Sequence, residues 1–165
     1  MTKSLNATLP VLSDILGEPP DTLRTRQRAL VAAGLLDSKP GKGPGKGVPA
    51  TPKTLAQFLI GTCAGADGPF AKRVARANCG GTCRLTGAAT FVDALAAILS
   101  DKALAERVRN IRIVTTGGLI DVNFDEASQT TFFGNPGKMD GLMFQVSIFP
   151  DTLRKIADLI KEISQ

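Results

Sequence analysis

The chain has 165 residues, 43% of them hydrophobic and 21% charged, an ordinary globular composition with room for one domain or two small ones. It contains no His, no Trp and no Tyr, and its formal net charge is +5. Without His there is no base for a Ser-His-Asp or Cys-His unit, no zinc site with a His ligand and no His-Glu metalloprotease pair. Without Tyr or Trp, any stacking of nucleobases would fall to Phe or Arg. An enzyme would have to work with Asp, Glu, Lys, Cys or Ser alone, so the composition argues against one.

No stretch reaches the roughly 18 apolar residues that would cross a bilayer. The opening MTKSLNATLPVLSDILGEPP lacks a long apolar core and a small-residue cleavage site, so no secretory signal is expected. Three Cys do not make a disulfide framework, and they favour a reducing cytoplasm. Charge is unevenly placed: residues 1–55 carry +4, residues 56–110 carry +3 and residues 111–165 carry −2. The densest basic stretch runs from Arg24 to Lys46, as in a chain that holds a polyanion at one end and something else at the other.

In chain order, Leu9, Leu12, Ile15 and Leu16 recur at helical spacing and predict a short helix over residues 8–17, ended by Gly17. Glu18-Pro19-Pro20 cannot continue it. Pro20 or Asp21 opens a second helix, with Asp21 a good N-cap, and that helix runs to a cap at Gly34-Leu35-Leu36. The direct repeat PGKG-PGKG at 40–47 is too rich in Gly and Pro for the interior of a regular element. Thr51-Pro52 restarts a helix whose apolar face is Leu55, Phe58, Leu59 and Thr62. Residues 66–87 read as a linker with a basic helix over Pro69–Ala77 and a loop at Cys79-Gly-Gly-Thr-Cys83.

Phe91, Val92, Leu95, Ile98 and Leu99 predict an amphipathic helix over residues 89–100, and Asp101 caps a short continuation, KALAERV. The period then changes to two. Ile111 and Ile113, then Ile120, Val122 and Phe124, then Leu142, Phe144, Val146 and Ile148 mark strands, and a further short one falls at Thr130–Phe133. PDTLRKIADLIKEIS closes the described pattern as an amphipathic helix. The expected architecture is α+β: residues 1–65 as one domain, 66–87 as linker, and 88–165 as a small antiparallel sheet flanked by two helices.

The first domain carries the functional signal. The segment LSDILGEPPDTLRTRQRALVAAGLL, with its exit Leu30-Val31-Ala32-Ala33-Gly34-Leu35-Leu36, resembles bacterial and phage winged helix-turn-helix DNA-binding proteins over roughly residues 8–60. The resemblance implies that the second helix is a recognition helix and that the glycine loop is the wing. At 100° per residue, Leu23, Gln27, Leu30 and Gly34 share one side of this helix, and Arg24, Thr25, Arg28 and Ala32 lie opposite. Arg can pair bidentately with guanine, and Thr can meet phosphate or a thymine methyl. Arg26 lies nearer the apolar side and is assigned to phosphate or to a neighbouring element. Lys39, Lys42 and Lys46 could follow the backbone or enter the minor groove. The candidate DNA-contacting residues are thus Thr22, Arg24, Thr25, Arg26, Arg28, Lys39, Lys42 and Lys46.

Other motifs are weaker. A P-loop ending at Gly45-Lys46 needs Gly where Pro40 stands and Ser or Thr where Gly47 stands. Cys63, Cys79 and Cys83 could supply three thiolates, but a structural zinc site wants four Cys or His ligands, so no metal and no cofactor is expected. Asp121 and the Asp125-Glu126 pair read as strand and turn residues. The expected function is sequence-specific binding of double-stranded DNA, as a transcription regulator of a bacterium or phage. A phage DNA-packaging recognition subunit uses the same chemistry, and a protein-interaction adaptor without DNA binding is the reading from another class. Helix-turn-helix modules commonly act as dimers, so residues 88–165 are the candidate homo-oligomer contact or effector domain.

Overall fold

The computed structural model describes residues 3–39, 47–63, 83, 85–114, 119–124, 130–133 and 145–163. The chain is α+β. Among the described residues the helices are α1 (Leu5–Leu16), α2 (Pro20–Ala32), α3 (Pro52–Cys63), α4 (Phe91–Ser100), α5 (Lys102–Arg107) and α6 (Pro150–Ile163). The strands are β1 (Val108–Val114), β2 (Leu119–Phe124), β3 (Thr130–Phe133) and β4 (Gln145–Ile148).

Helix α1 begins three residues before the expected Thr8. Ser4 is its cap, with Oγ accepting from the Ala7 amide at 3.3 Å, and Leu5 is fully buried. Pro10 sits inside the helix on its exposed side. Helix α2 is capped by Pro19 with Pro20 as its first residue, so Asp21 lies in the first turn and is not the N-cap. The α2 exit is a Schellman closure: Gly34 has φ 69°, its amide bonds Val31 O at 3.0 Å, and the Leu35 amide reaches Leu30 O at 2.9 Å. That closure is what Gly34-Leu35-Leu36 implies in the sequence.

Helix α3 buries far more than the one apolar face its periodicity suggests. Thr54, Leu55, Ala56, Phe58, Leu59, Ile60 and Gly61 are all buried. It packs against α2 on one side and α4 on another, while α1 touches α6. One continuous core therefore runs from Leu5 through Phe58 and Leu95 to Ile163. Gly61 lies tight against Leu30: a Cβ there would stand 2.6 Å from Leu30 Cδ2 and 3.1 Å from its Cγ. Leu30 is fully buried and has no solvent to swing into. Gly61→Ala is therefore expected to destabilise the fold by about 1–3 kcal/mol in chemical denaturation, through overpacking.

The sheet order is β3-β2-β1-β4, antiparallel throughout. Strand β4 begins at Gln145; the part of the expected strand at 142–144 lies outside the described residues. Ile111, Ile113, Val122, Phe133 and Ile148 are buried, and Phe91 of α4 meets Phe133 with ring centroids 5.4 Å apart. Helices α4 and α6 pack together, and α6 also packs on β1. Across β1, β2 and β3 runs a polar rung: Asn123 Nδ2 donates to Asn110 Oδ1 at 2.6 Å, and Thr130 Oγ1 donates to Asn123 Oδ1 at 2.8 Å. It lies next to an irregularity in register between Val108 and Asn110.

Helix α4 has a reciprocal cap, in which Thr90 Oγ1 accepts from the Asp93 amide at 3.2 Å and donates to Asp93 Oδ2 at 2.8 Å. The Thr90 hydrogen bond, with a further contribution from Lys53 3.1 Å away, holds the Asp93 carboxyl below its ordinary 3.8. A carboxyl depressed in the folded state stabilises fully above its unfolded value, and that contribution is lost as acid carries the pH down through the folded value. Thr90→Ala should cost about 1 kcal/mol at neutral pH, with the deficit shrinking in acid as wild type loses its Asp93 contribution. Urea titrations of both proteins at neutral and acid pH measure it.

Candidate nucleic-acid interface

The turn between α1 and α2 is fixed by short polar contacts. Gly17, at φ 68°, closes α1 through its amide to Ser13 O at 2.9 Å, and Ser13 Oγ donates to Glu18 O at 2.6 Å. Leu23 and Leu30 anchor α2 to the core. Gln27, which shares their side, is half-buried. The opposite side is open: Thr25, Arg28, Ala29 and Ala32 are exposed, and Arg24 is partly so. The helical-wheel division thus holds for Leu23 and Leu30 against Thr25, Arg28 and Ala32, while Gln27 and Arg24 are both half-buried and Gly34, past the end of the helix, is exposed.

Within that face, Arg24 Nη1 lies 2.6 Å from Asp21 Oδ1, and Thr25 Oγ1 donates to Asp21 O at 2.9 Å. An exposed pair of this kind is worth at most about 1 kcal/mol, so a competing phosphate or guanine can replace Asp21. Thr22, at the start of the helix, is half-buried. Arg26 is not on the open face. Its side chain is only 19% exposed, and Nη1 lies 3.1 Å from Glu18 Oε1 in the α1–α2 turn. Of the two expectations for Arg26, the neighbouring element is the one in contact.

The glycine loop springs from a closed base. Lys39 and Gly47 exchange both backbone hydrogen bonds, at 3.0 and 2.9 Å, in an antiparallel bridge. The returning segment pairs in turn with the chain at the start of α1: the Leu5 amide bonds Val48 O at 2.7 Å, and the Ala50 amide bonds Lys3 O at 2.9 Å. Lys39 is exposed at this base. Lys42 and Lys46 lie outside the described residues, as do Cys79 and the basic helix expected over Pro69–Ala77. The sequence carries no alternating pattern for these pairings, because each involves only one or two residues.

The remaining candidates are also placed. Cys83 is a buried free thiol, and Cys63, also free, is held by burial at a pKa of about 12, against a smaller opposing pull from Arg26. Cys63 therefore stays protonated at neutral pH and is no thiolate nucleophile. Asp121 pairs in register with Arg112 in the middle of the sheet, while Asp125 and Glu126 lie outside the described residues. No described helix is long and apolar enough to cross a membrane. No family model, no curated protein and no solved structure matches the chain.

Proposed function

We propose that the chain binds double-stranded DNA in a sequence-dependent way, with α1 and α2 acting as a helix-turn-helix and residues 39–47 as its wing. The observation that carries this reading is the two-sidedness of α2: Leu23 and Leu30 are buried while Thr25 and Arg28 stand exposed on the other side. Arg24, Thr25 and Arg28 enter the major groove, with Thr22 near the backbone at the start of the helix. Lys39, Lys42 and Lys46 follow the phosphates from the loop. Arg26 supports this surface from behind, tied to Glu18. The excess positive charge of the first two thirds of the chain is consistent with this use.

One recognition helix reads few base pairs, so two copies joined through residues 88–165 would act together on one site, as a transcription regulator does. The test is anisotropy of a labelled duplex at two salt concentrations. If about four phosphates are neutralised, affinity falls on the order of a hundredfold between about 50 and 200 mM salt. No binding at the lower concentration would leave the adaptor role as the reading. Selection from random duplexes then shows whether one site is preferred and whether it is palindromic.

A further inference from the structure

Between the α1–α2 turn, the end of α3 and strand β4 lies a cavity of about 480 Å³. Its volume falls within the range of small-molecule sites. The apolar part of its wall comes from Ile15, Leu59, Ile148 and Phe149. The polar part includes Arg26 and Thr62, and these two hold atoms with unmet hydrogen-bonding capacity. Arg26 Nη1 and Thr62 Oγ1 are both shielded from solvent and make no directed hydrogen bond. Arg26 Nη1 does lie 3.1 Å from Glu18, but as an ion pair without hydrogen-bond alignment. A buried donor without an acceptor costs about 1–3 kcal/mol, and a ligand that supplies the acceptor recovers it.

We infer that this cavity is a binding site for a small amphipathic carboxylate, whose acid group meets Arg26 and Thr62 and whose apolar body lies against Ile15, Leu59 and Ile148. The guanidinium offers five donors in a planar fork, of which Glu18 engages one nitrogen. Glu18, with 37% of its side chain exposed, has room to turn toward solvent when the ligand arrives. Cys63 also lines the cavity, and its protonated thiol adds no negative charge to oppose the ligand. A neutral ligand of the same shape would satisfy Thr62 but would leave Arg26 with only its unaligned ion pair to Glu18. The site does not depend on the DNA reading, and its test is made on the free protein.

The experiment is isothermal titration of the full chain with benzoate and, separately, with octanoate. At least one should bind saturably at a single site, and more tightly than benzyl alcohol or octanol does. Arg26→Gln should weaken the carboxylate at least about tenfold, since a charge-assisted hydrogen bond is lost. Thr62→Val keeps the side-chain shape and removes only the hydroxyl, so it also weakens binding and guards against a folding defect in the Arg26 variant. Lys155→Gln, an exposed substitution on α6, should leave affinity unchanged. Absence of saturable binding by either acid up to about 10 mM, well above the range of a useful pocket, overturns the inference. So does binding that is indifferent to both Arg26→Gln and Thr62→Val.

Discussion

Phe58→Ala is expected to destabilise the chain by about 3–5 kcal/mol in urea or thermal unfolding. Phe58 is fully buried on α3, the helix that packs against both α2 and α4. Truncation removes the transfer energy of the ring and leaves a cavity in the core. Because domains of this size are stable by only about 5–15 kcal/mol, the loss would take a large share of the total. It should also appear as one cooperative transition, since a single core joins Leu5 and Leu30 to Leu95 and Ile163. Two separate transitions, with only the first affected, would show that the two ends of the chain melt independently.

The second large effect concerns binding. Replacing Arg24 and Arg28 together by Ala should weaken duplex binding by at least about 2 kcal/mol, roughly thirtyfold, if both reach base edges. Neither substitution removes a buried contact: Arg28 is exposed, and Arg24 holds only the exposed pair with Asp21. Folded stability should therefore change by less than about 0.5–1 kcal/mol, the scale of surface substitutions and exposed ion pairs. Discrimination between the preferred and a scrambled duplex should fall with affinity, because base contacts carry the sequence information. Lys39→Ala should instead weaken both duplexes alike and flatten the salt dependence by about one unit of slope.

Much of this was legible in the residues, and the misses have physical causes. The two sides of α2 follow from the spacing of Leu23, Leu30 and Arg28, because one helix obeys one period. The exit at Gly34 was legible because a left-handed cap all but requires Gly. The pattern counted from Leu9 starts α1 too late, because Leu5 stands one turn earlier on the same face as Leu9 and Leu12 and is buried with them. The wide burial of α3 was hidden in Thr54, Ala56 and Gly61, small or neutral residues whose burial is decided by what packs on them. The placing of β4 beside β1 joins segments far apart in sequence, which local pattern cannot report. For the site, a helical wheel put Arg26 near the core but could not name Glu18 as its partner or reveal the cavity beside them.

The most direct test of the central claim is to map amide shifts of isotopically labelled protein as a duplex is added. A surface formed by α2 and the glycine loop predicts the largest shifts at Thr22–Arg28 and around Lys39 and Gly47, with the sheet residues 108–114 and 119–124 little changed. Shifts concentrated in the sheet and α6, with Arg24, Thr25 and Arg28 unmoved, would contradict it.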